Sequence, residues 1–202
     1  LLRDIQASGI QIVQMVRKAD KNISSVVADY ESSAYDSTNY LIGQGCQKIG
    51  LINGPMEISP YQSRYRGYSQ ALREHGLREY LATSVPPYSS FQYGYQCAEK
   101  LLRDTPDLNA ILAAVDIQGI AVLRFLKEHR ISVSQQIKLI SLTGHSIGRM
   151  LQTAMTSWEI PAEEIGKTAT WMLVKAIESP VKTEPCAKHI TYQATLMKGE
   201  TA

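Results

Sequence analysis

Residues 40–55 read YLIGQGCQKIGLINGP, and the order of elements around Gly43 and Gly45 decides the fold. Two close glycines before an apolar run suggest a dinucleotide-binding fingerprint. That motif needs a strand first, then the glycines, then a helix whose N-terminus faces a pyrophosphate. Here the order is reversed. Residues 31–43, ESSAYDSTNYLIG, repeat apolar groups at helical spacing, and residues 48–53, KIGLIN, form the short apolar run of a buried strand. Gly45 is therefore expected to end the helix in the left-handed region and release the chain into the strand. The glycines stand at the wrong end of the helix for a phosphate loop.

Outward from this unit the same alternation continues. Toward the N-terminus, LLRDIQAS reads as a helix end stopped at Gly9, IQIVQMV (10–16) as a strand, and SVVA (25–28) as another. Toward the C-terminus, residues 63–76 predict a helix with Tyr68, Ala71 and Leu72 inward and Gly76 just past its end. LATSVPP reads as a strand running into two prolines. Residues 92–104 predict a helix with Cys97, Ala98, Leu101 and Leu102 inward.

AILAAV (110–115) is a buried strand, Asp116 is expected to cap the helix from Ile117 to Leu126, and IKLISLT (137–143) is the next strand. TSWEI (156–160) leads to a helix opened by Pro161 at its first position, with Glu163 and Glu164 complementing the helix dipole. Its expected inward face is Ile165, Ala169, Met172, Leu173 and Ile177. HITYQATLM (189–197) reads as one closing strand. Repeated strand–helix units of this length imply an α/β fold with parallel sheets and helices on both faces.

Composition bounds the function. At 202 residues, 44% apolar and 20% charged, the chain has the make-up of a globular protein of one or two domains. A net charge of +2 leaves no general footprint for polyanions. No apolar run reaches membrane-spanning length, and LLRDIQASGIQIVQM has the wrong order of charge and apolar core for a signal peptide. Cys46, Cys97 and Cys186 are odd in number and lack metal spacing, so they read as reduced cytoplasmic thiols. His75, His129, His145 and His189 are scattered, and neither a metal nor a cofactor is expected.

In open parallel sheets, ligands bind beyond the carboxyl ends of the strands. That rule collects Arg64 and Arg66 after strand 48–53, Tyr88 and Ser89 after LATSV, Asp116 after AILAAV, and Thr143 and His145 after KLISL. An arginine fork, a carboxylate, hydroxyls and an aromatic face suit a polyhydroxy ligand such as a sugar. Plainer roles stand beside these: Asp116 as helix cap, Arg64 as a solvated first-turn residue, Trp158 as core, Tyr88 as a turn residue, His145 as a loop histidine. No nucleophile elbow, phosphate loop or evident Ser–His–Asp set points to an enzyme.

RYRGYSQALREHGL resembles the R-x-x-G-[YF]-x-x-A-L-x-x-x-G-[LI] segment of the LacI/GalR family of bacterial repressors. DSTNYLIGQGCQKIGLINGP is similar to that family's helix–glycine–strand segment, NAILAAVDIQGIAVLRFLKEH to its strand–Asp–helix segment, and TSWEIPAEEIGKTATWMLVKAI to its return crossover. IKLISLTGH occupies the place of its I-x-x-x-G-F-D-D segment. The matches run in family order across nearly all of the chain.

The resemblance implies a periplasmic-binding-protein-like fold of two parallel-sheet subdomains, with the effector in the cleft between them. It divides the chain into residues 1–28 with 158–188, an incomplete first subdomain, and residues 29–157 with 189–202, a second one. It makes Arg64 the main effector ligand, with Asp116, Thr143 and Trp158 close by, and Arg17 following Val16, where many members carry an acid. Thr143 also stands where an acid is usual. Two missing acids suggest a different or phosphorylated sugar, for which Arg17 and Arg64 are natural partners. The implied protein is a cytoplasmic, homodimeric, sugar-responsive transcriptional repressor, reaching operator DNA through a helix-turn-helix that these residues do not contain. A periplasmic sugar-binding protein of a transport system shares the fold and is the alternative.

Overall fold

The computed structural model describes residues 2–84, 86–144, 146–179 and 186–202. The chain divides into two compact units, Tyr30–Ile160 with Ala194–Ala202, and Leu1–Asp29 with Pro161–Gln193.

The smaller unit holds α1 (Leu2–Ala7), β1 (Gln14–Met15) and β2 (Ser25–Ala28). The larger unit continues with α2 (Tyr30–Gly43), β3 (Ile49–Ile52), α3 (Ser59–Glu74), β4 (Tyr80–Ala82), α4 (Phe91–Asp104) and β5 (Ala110–Ala113). Then come α5 (Asp116–Glu128), β6 (Lys138–Gly144), α6 (Ser146–Arg149) and β7 (Thr156–Glu159). The chain returns to the smaller unit for α7 (Ala162–Glu178) and β8 (His189–Tyr192), and ends in the larger with β9 (Thr195–Met197).

The larger sheet runs β4-β3-β5-β6-β7-β9, parallel throughout except for β9, which lies antiparallel on β7. β3 and β5 are buried at every position, as strands covered on both faces must be. Side chains alternate between two cores. Ile52, Ile111, Ala113 and Leu139 face α4 and α5 with Tyr93, Cys97, Val122 and Leu126. Leu51, Leu112, Ile140 and Leu142 face α2 and α3 with Ala34, Leu41, Tyr68 and Leu72. Gly67 lets α3 press onto α2: a Cβ there would lie 2.1 Å from the Glu31 carbonyl oxygen.

The opening stretch folds as its glycines require. Gly45 has φ +85°, its N–H donates to Ile42 O at 2.9 Å, and the Cys46 N–H donates to Leu41 O at 3.0 Å. This paired bonding is the Schellman ending of a helix. Gly76 closes α3 in the same way, with φ +66°.

The smaller unit is a parallel sheet in the order β1-β2-β8, packed against α7. The expected strand 10–16 shortens to two paired residues. Val16 takes φ +64° and turns the chain, while the buried Gln14 amide bonds to Asp20 O and Ile23 O and accepts from the Ala19 and Asp20 N–H groups. Backbone partners in the loop thus replace a longer ladder.

The expected closing strand 189–197 is two strands, β8 on β2 and β9 on β7, each satisfying a different sheet edge. The unit boundaries fall at 29/30, 160/161 and 193/194, beside the expected 28/29, 157/158 and 188/189, and the last of these follows from the split of β8 from β9. β7 pairs with β6 through Glu159 and keeps Trp158 in the larger sheet. Pro161 precedes α7 as its cap residue, and Ile177, expected inward, is 64% exposed.

Candidate functional site

The carboxyl ends of β4, β3, β5 and β6 lie along one rim of the larger sheet. Arg64 reaches this rim from α3 and is 3% exposed. Its Nη2 donates to the Thr143 hydroxyl on β6. The guanidinium carbon lies 4.5 Å from the Tyr30 ring centroid and 5.7 Å from that of Tyr61. Both contacts place the cation within reach of an aromatic quadrupole.

Among the described residues, the buried Nε of Arg64 has no hydrogen-bond partner and no carboxylate forms an ion pair with the group. Burial pushes the Arg64 pKa down to about 10, opposed by Tyr30 and Tyr61. The group remains protonated at neutral pH, so the rim contains a buried positive charge. Burial also raises the Tyr30 phenol pKa, against the pull of Arg64, and keeps that ring neutral.

Tyr61 connects Arg64 to the loop after β4. Its hydroxyl is 3.1 Å from Ser89 Oγ, and its carbonyl accepts from Asn53 Nδ2 at 3.0 Å. Gly54 admits the ring, since a Cβ there would lie 2.4 Å from it. Asn53 is fully buried at the end of β3, and its Oδ1 has no hydrogen-bond partner among the described residues. Tyr93 donates to the Asn53 carbonyl and meets the Tyr88 ring edge-on at 5.6 Å. Gln118 Nε2 donates to Tyr88 O at 2.7 Å and fixes that loop to α5.

Asp116 lies beyond β5 and is 6% exposed. Its expected capping role needs correction. The cap position belongs to Val115, extended at φ −141°, and Gln118 Oε1 accepts from the Val115 N–H at 3.4 Å. Asp116 begins the helix itself, where a carboxylate still complements the dipole.

Arg64 and Thr143 therefore touch, Ser89 joins them through Tyr61, and Tyr88 and Asp116 occupy the same rim. Arg17 belongs to the smaller unit, exposed after the turn at Val16, and its N–H donates to Met15 O at 2.6 Å. Trp158 donates from Nε1 to Ser37 Oγ at 2.5 Å and packs on the core between sheet and α2. His145 lies outside the described residues. Tyr30, Asn53 and Tyr61 were missed by sequence reasoning. Asn53 ends an apolar strand run, which marks the rim, and Tyr61 lies three residues before Arg64 on the same helix, whereas nothing local announces Tyr30.

Residues 38–201 match the periplasmic binding protein-like domain. The chain belongs to that family. Its curated relatives include the HTH-type transcriptional regulator CelR of Thermobifida fusca, 30% identical over 168 residues, covering 82% of this chain and 48% of that protein. The ribose operon repressor of Halalkalibacterium halodurans is 24% identical over 176 residues, covering 87% of this chain and 52% of that protein. The chain thus spans about half the length of these relatives. A solved transcriptional regulator CelR–cellobiose complex superposes with a TM-score of 0.88 at 23% identity, over all of this chain and 62% of that one.

These relatives are LacI-family repressors, and the match falls on their effector-binding domain. The resemblance carried by RYRGY and AVD is thereby borne out, as is the α/β fold it implied. Among the described residues no group of His, Cys, Asp or Glu assembles a metal site, and no helix is long and apolar enough to cross a membrane.

Proposed function

We propose that this chain is the effector-binding portion of a sugar-responsive LacI-family transcriptional regulator. The effector lies on the carboxyl rim of the larger sheet. Arg64 forms charged hydrogen bonds to it, Asp116 accepts from its hydroxyls, and Thr143, Ser89 and Tyr88 complete the wall. One observation carries the reading: Arg64 is buried on the rim with donor capacity that the described residues leave unused. Buried charges are ordinarily paired, so a group held in this state is built for a ligand.

Ligand binding here controls operator binding by a helix-turn-helix in the wider protein, which acts in the cytoplasm as a homodimer. No enzymatic step is needed, and the relatives are regulators. Their names also favour this reading over a transport binding protein, although the fold serves both.

Calorimetry against a sugar panel tests the assignment. Arg64→Ala should remove most affinity while leaving the circular dichroism spectrum native, since a charged hydrogen bond contributes about 1.5–3 kcal/mol. Asp116→Asn should weaken binding and keep the helix start intact. Unchanged affinity in both variants would move the ligand site elsewhere.

A further inference from the structure

Arg64 is not the only arginine on α3, and its neighbour makes it unusual. Arg66 lies on the exposed face and is paired with Glu31 at 2.7 Å. Arg64, the buried one, is paired with no acid among the described residues. Among the described residues the counter-charge stands where water already screens the cation and not where water is excluded.

The groups around Arg64 reinforce that asymmetry. Its hydrogen-bond partner, Thr143, is neutral, and a threonine hydroxyl that accepts from the guanidinium keeps its own proton to donate. Tyr30 and Tyr61 offer ring faces to the cation without neutralising it. The Tyr61 and Ser89 hydroxyls form a further donor-capable pair at 3.1 Å. Asp116, the acid on this rim, begins the neighbouring helix and suits sugar hydroxyls. Around Arg64 itself the wall is therefore rich in donors and short of negative charge.

Resting on the reading of this rim as the effector site, we infer that the effector is anionic: a phosphorylated or carboxylated sugar whose charged oxygens meet Arg64 and Thr143. The anion supplies the counter-charge that the described residues do not. Two parallel N–H bonds from a guanidinium fit either group. A neutral sugar would leave the buried cation uncompensated.

The test begins with inorganic phosphate, which needs no knowledge of the sugar. At equal ionic strength, phosphate should raise the Tm of the 202-residue chain above its value in chloride, and Arg64→Met should abolish the difference. Calorimetry then compares ribose with ribose 5-phosphate, glucose with glucose 6-phosphate, and glucose with glucuronate. At least one anionic member should bind about tenfold or more tighter than its neutral parent, the size of one charged hydrogen bond. The phosphate and uronate arms decide which anion is recognised.

Thr143→Asp provides a second variant that keeps Arg64 and supplies a carboxylate beside it. It should erase or reverse the preference for anions. Neutral and anionic sugars binding equally in the unmodified chain, with both lost in Arg64→Met, would overturn the anionic class and leave the site standing. Sugar binding unaffected by Arg64→Met would overturn the site and this inference together. Absence of both the phosphate shift and anionic-sugar binding would overturn the inference.

Discussion

The two units are built from the same alternation of strand and helix, yet they bury it to different extents. In the larger unit, β3 and β5 are enclosed at every position, and two helix pairs supply separate cores on opposite faces of the sheet. In the smaller unit, α1 buries no residue, β1 contributes two residues, and α7 leaves Trp171 60% and Ile177 64% exposed. Local pattern is therefore enough to make an element but not to stabilise it. Stability follows the apolar area covered by neighbours, and the central strands of the larger sheet are covered on both faces.

That contrast can be broken by substitution. Leu112→Ala removes a fully buried side chain from the centre of the larger sheet and should cost about 3–4 kcal/mol by urea unfolding. A loss below about 1 kcal/mol would mean that this core is looser than its burial indicates.

Two glycine substitutions sharpen the comparison, because the same added methyl should act with opposite sign. Gly67→Ala forces a Cβ against the Glu31 backbone, which cannot rotate away, and should destabilise the larger unit by about 2–3 kcal/mol. Gly166 lies within α7 with nothing within 4 Å of an added Cβ. Gly166→Ala should stabilise the chain by about 0.5–1 kcal/mol through helix propensity alone. Thermal melts of the two variants moving in the same direction would contradict the difference in packing.

Helix endings were legible because they are local. The Gly45 termination depends on bonds reaching five residues back at most, so the residues that make it are adjacent in the chain. The place of Arg64 was legible too, since the early turns of a helix that follows a parallel strand lie near the strand's carboxyl end, although α3 begins at Ser59 instead of 63. Its surroundings were not. Tyr61 shares α3 with Arg64, but Tyr30 belongs to α2 and Thr143 to β6, elements that only the packed sheet brings together.

The sequence by itself determined the order of helices and strands, the strands to be covered on both faces, the helix ends, and the family. Tertiary structure decided that residues 189–197 serve two sheets, that Ile177 faces outward, and that Arg64 is enclosed with no carboxylate paired to it among the described residues. Periodicity records which face of an element is apolar. It does not record which neighbour covers that face, or which charge a distant strand delivers to it, because those depend on contacts between residues remote in the chain.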